Sequence, residues 1–395
     1  MGIIIPILIV TLCCIVIWRA SDGFTLASEY IGRNLSEGVR GATINAIGSS
    51  LPEVFTSFFF LFYLKDVDGF SGGIGTTAGS AIFNSMIIPS FAILVVIYTG
   101  VASQIKISRK VLRRDGIALI LAEFIFIMLI SGQILDWWHG FILIVIYFIY
   151  LFYMLGTMKR VEVEDRHVPN VSDVVEHREQ KKDFWKALFT LDLEYLFIRE
   201  GDMTNKKAWP LLIFSTFTIA FICFLLVQAC EWLGKDEYSI FGYGKFNGLN
   251  IPIMFVAVIL ASAASSVPDT ILSMNDARRG NYDDAISNAL GSNIFDICFA
   301  LGFPLFIYTI VYGPIEMHQE VIDLSAELRM LLLIFTVLAF IVYISRKIIN
   351  QTQAFMLLGI YLLFTLYVLG RGSGNEIVIK FSAVLREMVS YISLF

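Results

Sequence analysis

The sequence predicts an all-α integral membrane protein of ten transmembrane helices arranged as two inverted-topology five-helix repeats. Three observations predict it. The 395 residues are 57% hydrophobic and only 16% charged, with a mean hydropathy of +0.74, against roughly 25% charged residues in soluble domains. Ten apolar runs are long enough to cross about 30 Å of hydrocarbon at 1.5 Å per residue. Two motifs in the first half recur in the second.

The runs lie near 3–20, 41–64, 72–100, 115–131 and 137–157, then near 209–232, 249–273, 281–311, 329–345 and 353–370. The first lacks a basic start and a small-residue cleavage site, so it reads as a span rather than a signal peptide. Residues 1–158 form the first repeat and 209–373 the second. Between them, 159–208 is the long polar stretch, expected as a cytoplasmic loop with an amphipathic piece over Asp183–Phe197. Residues 374–395 space Phe381, Leu385, Val389 and Ile392 helically, as in an amphipathic tail at the outer interface.

Of the 29 Lys and Arg, 22 fall on one side of this arrangement. Arginine and lysine mark the cytoplasmic side, so both termini are expected to be extracytoplasmic, in a cell membrane. A net charge of −5 offers no basic face, which excludes nucleic acid as a partner. The partners expected are the lipid bilayer and inorganic cations. Cys13, Cys14, Cys223, Cys230 and Cys298 lie in apolar segments with no C-x-x-C pair, and read as packing residues. No cofactor is expected. The absence of a Walker motif argues against direct ATP drive, and Gly73-x-Gly75 with Gly79 reads as flexible backbone entering the third span.

The repeat is explicit. Gly48-Ser49-Ser50-Leu51-Pro52-Glu53-Val54-Phe55-Thr56-Ser57 matches Ala264-Ser265-Ser266-Val267-Pro268-Asp269-Thr270-Ile271-Leu272-Ser273, and Gly79-Ser80-Ala81-Ile82-Phe83-Asn84 matches Gly291-Ser292-Asn293-Ile294-Phe295-Asp296. Matched spans are five apart, an odd number, so they cross in opposite directions. Inverted repeats of this kind mark secondary transporters, with the substrate site where the copies meet near the midplane.

Residues three or four apart share a helix face, so Ser49 and Ser50 stand beside Glu53, Ser265 and Ser266 beside Asp269, Ser80 beside Asn84, and Ser292 beside Asp296. All are hard oxygen donors, suited to Ca²⁺ and Na⁺ rather than zinc or copper. Pro52 and Pro268 deny an N–H to the carbonyls of Gly48 and Ala264, opening the helix where a cation can take the freed oxygen. Serine and glycine alone in membrane helices mostly pack. Carboxylates are different, because an ionised Asp or Glu at the bilayer centre costs several kcal/mol. Glu53, Asp269 and Asp296 are therefore the functional candidates. Glu123, outside the repeat, is expected to be hydrogen-bonded between helices, the alternative being an accessory proton or cation group. No Ser/His or metal-His arrangement supports an enzyme.

These motifs resemble the two alpha-repeats of the cation/calcium exchanger superfamily, in the sodium/calcium exchanger family. GSSLPE, GSAIFN, SSVPD and GSNIFD carry the resemblance, and its span pattern covers the whole chain. The resemblance implies Glu53 and Asp269 as the central Ca²⁺ ligands, assisted by Ser49 and Ser265. It implies Ser50, Ser266, Ser80, Ser292, Asn84 and Asp296 as positions that hold Na⁺ or a co-transported ion. Asp269, where many family members have Glu, together with GSNIFD, is similar to the potassium-dependent branch. The function expected is a secondary antiporter exchanging Na⁺, with or without K⁺ co-transport, for Ca²⁺ by alternating access. The alternatives are a Ca²⁺/H⁺ or Na⁺/H⁺ antiporter and, further off, a passive cation channel. Three ionised carboxylates are neutralised by three Na⁺ but not by one Ca²⁺, so either K⁺ accompanies Ca²⁺ or a carboxylate, Asp296 first, holds a proton.

Overall fold

The computed structural model describes residues 2–31, 46–157, 185, 187, 190–198, 203–240, 242–346 and 348–392. Among them the chain is mostly helical. In order it forms α1 (Ile4–Ile31), α2 (Ala46–Ser49), α3 (Leu51–Phe59, running into a π-turn at Phe60–Leu64), α4 (Asp66–Tyr98), α5 (Arg109–Leu129), α6 (Trp137–Thr157), α7 (Leu193–Ile198) and α8 (Asn205–Gly234). The second half forms α9 (Ile253–Val256, with a π-turn at Ala257–Ala261), α10 (Ser262–Ser265), α11 (Val267–Arg278), α12 (Tyr282–Phe295, with a π-turn at Asp296–Ala300), α13 (Gly302–Tyr312), α14 (Gln319–Ser345), α15 (Gln351–Gly372) and α16 (Glu376–Ile392).

Among the described residues seven helices are long and apolar enough to cross a membrane, and the pair α9–α10 and α11, bent by 43° at its break, makes an eighth if it is one span. The other two expected spans are mostly helical where they are described, from Ala46 on in the first of them. α2 and α3 are interrupted at Ser50, and α5 carries six charged residues. Helices also outrun the apolar stretches that announced them: α1 reaches Ile31, α4 starts at Asp66 and α14 starts at Gln319. Hydropathy registers apolar side chains, whereas the backbone continues its own i→i−4 bonding through polar ends. One consequence is that Arg329, the first residue of the ninth span as read from hydropathy, lies well inside α14 and is fully buried.

Among the described residues four short strands add to the helices. β1 (Ile134–Leu135) pairs antiparallel with β4 (Ile315–Glu316), and β2 (Glu237–Ile240) pairs with β3 (Tyr243–Asn247). An isolated bridge joins Ile105 to Ile349. These links fix directions. Ile105 precedes α5 and Ile134 follows it, while Ile315 precedes α14 and Ile349 follows it, so α5 and α14 run antiparallel between the same two ends.

Apolar packing falls into two clusters. Ile17, Ala20, Leu211, Ile219, Cys223 and Leu226 belong to one built on α1 and α8, which lie along each other. The larger cluster gathers α4, α5, α6 and α12 to α16. α4 is its axis, with 72% of its apolar window buried against 33% for α1 and for α8, whose outer faces suit lipid. The glycines at the start of α4 are helix-interior contacts, which corrects the expectation of flexible backbone. A Cβ on Gly75 would stand 2.7 Å from Met254 O, and one on Gly79 only 2.4 Å from Val258 O, so glycine lets α4 and α9 touch through their backbones.

The other expectations fall as follows. Residues 159–208 lie mostly outside the described residues, as does the start of Asp183–Phe197; Leu193–Ile198 is helical. α16 buries Ser382, Leu385 and Val389 and exposes Ile377, Phe381 and Val384. α15 opens with a capping box in which Asn350 Oδ1 accepts from Thr352 N–H at 3.0 Å and Asn350 N–H donates to Gln353 Oε1 at 3.1 Å. All five cysteines are free, and all but Cys14 are buried.

Candidate functional site

The two repeated motifs break their helices at the same place. Ser50 separates α2 from α3 with φ −100° and ψ 11°, and Ser266 separates α10 from α11 with φ −82° and ψ 4°. Each following helix carries proline at its second position, Pro52 and Pro268, where an intrahelical N–H is not required. Glu53 and Asp269 come one residue later, in the first turn of α3 and α11, whose N–H groups favour a carboxylate. Asp296 opens the π-turn of α12, the wider turn often found at functional positions.

All ten candidate residues are buried. Glu53, Asp269, Asp296, Ser50, Ser80, Asn84, Ser265 and Ser266 have no exposure, and Ser49 and Ser292 have 2% and 1%. Ser80 is the hub. Its hydroxyl lies 2.8 Å from Asp296 Oδ2, 3.3 Å from Glu53 Oε1 and 2.8 Å from Ser266 Oγ, and it accepts from Asn84 Nδ2 at 3.3 Å. One hydroxyl proton cannot serve three acceptors at once. Asn84 Nδ2 also reaches Asp296 Oδ2 at 3.3 Å, and Ser266 Oγ donates to Glu53 Oε1 at 3.3 Å. On the other flank Ser292 Oγ donates to Asp269 Oδ1 at 3.1 Å.

The pairing crosses the repeats. Ser49 of the first motif lies beside Asp269 of the second, and Ser265 of the second beside Glu53 of the first. The Ser265 hydroxyl donates to Ser262 O at 3.1 Å. Ser50 Oγ, at the break, has no hydrogen-bond partner.

A rule emerges from the acceptors. Each carboxylate has one oxygen held by side-chain donors and one with none: Glu53 Oε2, Asp269 Oδ2 and Asp296 Oδ1, joined by Asn84 Oδ1. A buried carboxylate oxygen without a donor is costly unless a cation or proton meets it. Basic side chains do not supply that charge: among the described residues the buried ion pairs lie elsewhere, as Arg114–Asp115 at 2.6 Å and Arg371–Glu327 at 3.0 Å. Nor, among those residues, do three His, Cys, Asp or Glu side chains converge as a resident metal centre. The arrangement suits a hydrated, exchangeable hard cation that collects single oxygens from carboxylate, hydroxyl and amide groups.

Several participants were missed in the sequence. Asn288 Nδ2 reaches Asp269 Oδ1 at 3.5 Å and Ser273 Oγ at 3.3 Å. Its signal was its place four residues before Ser292, on the same face of α12. Ser273 and its counterpart Ser57 stand four residues after Asp269 and Glu53, and the Ser57 hydroxyl is buried without a partner. Asn293 Nδ2 donates to Ser85 Oγ at 2.6 Å, tying α12 to α4. Glu123, as expected, is bonded between helices, accepting from Thr336 Oγ1 at 2.7 Å.

Comparison with known proteins adds the following. A family profile described as Sodium/calcium exchanger protein matches residues 5–156 and 207–370. Human sodium/potassium/calcium exchanger 5 is 27% identical over 379 residues, which take in 78% of this chain and 71% of that protein. Rat sodium/potassium/calcium exchanger 2 is 30% identical over 163 residues, 40% of this chain but only 22% of the relative's length. In structure, a crystallised H⁺/Ca²⁺ exchanger CAX superposes with a TM-score of 0.64 at 17% identity, covering 98% of this chain and 87% of that one. The sodium-calcium exchanger NCX_Mj gives 0.52 at 22% identity, covering 91% and 98%. At these identities the structural likeness concerns the fold.

Proposed function

The chain belongs to the sodium/calcium exchanger family, and from that premise we propose that it is a secondary antiporter exchanging Na⁺ for Ca²⁺ across a membrane, with K⁺ carried alongside Ca²⁺. The observation that carries the proposal is the set of three buried carboxylates, each with one oxygen held and one free, Glu53 and Asp296 on either side of Ser80 and Asp269 beside Ser292. Glu53 and Asp269 are the Ca²⁺ ligands, with Ser49 and Ser265 beside them. Asp296, Asn84, Ser80, Ser292, Ser50 and Ser266 complete the sites for the monovalent ions. Three carboxylates and one Ca²⁺ leave one negative charge, and K⁺ at Asp296 balances it. The sodium/potassium/calcium exchangers among the relatives support that choice over a proton.

The same residues support alternating access by inverted repeats. The motif breaks at Ser50 and Ser266 are equivalent, and the matched helices α5 and α14 run antiparallel. α1 and α8 pack along each other in an apolar cluster that also takes in Phe60, Val256 and Ala264, an arrangement that suits a pair sliding as a body along the motif helices to open each side in turn. The Lys and Arg bias favours extracytoplasmic termini, 159–208 as a cytoplasmic loop between repeats 1–158 and 209–373, and α16 lying at the outer interface of a cell membrane.

Uptake of radiolabelled Ca²⁺ by Na⁺-loaded proteoliposomes, diluted into Na⁺-free buffer with and without K⁺, tests this. Uptake that needs internal Na⁺ and external K⁺ is expected. Uptake driven by a pH gradient alone replaces the coupling with protons, and uptake indifferent to every counter-gradient replaces the antiporter with a channel. In the same assay Glu53→Gln abolishes uptake while the protein stays folded; normal uptake removes Glu53 from the site.

A further inference from the structure

The seam between α5 and α14 buries two charge-bearing side chains that the ion cluster does not use. Glu123 accepts from Thr336 Oγ1 through Oε1 at 2.7 Å, and its Oε2 has no hydrogen-bond donor. One turn further along α5, Arg329 of α14 donates from Nη1 to Ile127 O at 2.9 Å and to Ser131 Oγ at 3.0 Å, and from Nε to Ser325 O at 3.1 Å. Both residues are fully buried, and among the described residues neither takes part in an ion pair. A guanidinium keeps its charge in a protein, whereas a carboxyl can gain or lose a proton. The seam is thus neutral with Glu123 ionised and carries one positive charge with Glu123 protonated.

Glu123 also has an electrical route to the cluster. α5 packs against the π-turn that begins at Asp296, and Glu123 is near enough to Cys298 in that turn to act on it electrostatically. Residues two apart on a helix point to nearly opposite faces, so Glu123 stands behind Asp296 by about one helix width, roughly 10 Å.

We propose that Glu123 is a proton-binding site, separate from the oxygen cluster, whose protonation weakens cation binding at that cluster. The inference rests on the antiporter reading given above. Acid protonates Glu123, removes the negative charge behind Asp296 and leaves the Arg329 charge unbalanced further along the seam, which disfavours the incoming cation; alkali restores the neutral seam. At roughly 10 Å and an effective dielectric of about 20, one unit charge changes the affinity for a monovalent cation about tenfold. The other groups around the seam are occupied. Asp115, lower on α5, pairs with Arg114 and accepts from Tyr150 of α6 and Ser287 of α12. Arg386 of α16 pairs with Asp323 and Glu327, Cys298 belongs to α12, and Tyr147 of α6 stacks edge-on against Phe295.

The test uses the purified full chain. Ca²⁺ affinity, read from the Ca²⁺-dependent rise in melting temperature, is measured from acidic to alkaline pH alongside the carboxylic-acid C=O band in infrared difference spectra. Wild type is expected to lose affinity on acidification. Glu123→Gln, fixed in a neutral form, is expected to bind Ca²⁺ at least tenfold more weakly than wild type at alkaline pH, to show a flatter profile and to lack one C=O band. A variant that keeps the wild-type profile and band overturns the proposal. If Glu123→Gln does not fold, Thr336→Val removes the donor to Oε1 and leaves the carboxyl; a displaced profile midpoint supports the proposal and an unmoved one overturns it. Wild type without any cation-dependent signal sinks the antiporter reading instead, while the band still reports whether Glu123 exchanges a proton.

Discussion

Ser80→Ala separates ion binding from folding more cleanly than removal of any carboxylate. Ser80 lies 2.8 Å from Asp296 Oδ2 and 3.3 Å from Glu53 Oε1, so its one proton goes to one or the other of two carboxylates from different helices, each with its other oxygen free. A hydrogen bond to a charged group contributes about 1.5–3 kcal/mol, so losing it should weaken Ca²⁺ binding roughly tenfold to a hundredfold. Folding should lose little. Asn84 still donates to Asp296 Oδ2 and Ser266 still donates to Glu53 Oε1, so no held oxygen is stranded. The cost to the cation-free protein is then about 1 kcal/mol or less. The assay is a pair of melting curves in detergent, without Ca²⁺ and across a Ca²⁺ titration, with Ca²⁺ flux in liposomes as the second readout. Unchanged stability with a Ca²⁺ midpoint displaced at least tenfold is expected. A midpoint within twofold of wild type would refute the hub role, and a large fall in the Ca²⁺-free melting temperature would make Ser80 a structural residue.

Three further outcomes follow from the same geometry. Asp296→Asn keeps the shape and removes one charge, so Ca²⁺ uptake should lose its dependence on external K⁺; a retained K⁺ dependence takes Asp296 out of the charge balance. Asn288→Leu frees Asp269 Oδ1 from one of its donors, raising the Ca²⁺ concentration for half-maximal flux several-fold with a smaller change in maximal rate; equal losses in both would contradict a positioning role. Gly79→Ala drives a Cβ to 2.4 Å from Val258 O and should destabilise the protein by about 1–3 kcal/mol, read as a lower melting temperature; an unchanged one would mean that α4 and α9 separate freely.

The carboxylates and their helix breaks were legible because their signals are local. A Pro-Glu or Pro-Asp flanked by serines inside an apolar run is anomalous in any bilayer, and its repetition 216 residues later names the residues without a structure. Asn288 and Ser273 escaped because they lie in ordinary polar positions, and only the packing of α12 against α11 turns them toward Asp269. Arg329 escaped for the opposite reason. A charge at the margin of an apolar run reads as the end of the span, and only the register of α14 against α5 buries it.

By itself the sequence determined the solvent, the helices, the repeated motifs and the oxygen chemistry of their ligands. Each follows from composition or from residues within one helical turn, and short-range forces do not depend on the rest of the chain. The tertiary structure decided what lies between helices. It chose which oxygen of each carboxylate is held and which is free, it made Ser80 common to both halves, and it set Glu123 and Arg329 on one seam. Those relations join residues some two hundred positions apart, and only the packing of whole helices brings such distant hydroxyls, carboxylates and guanidinium groups within reach of one another.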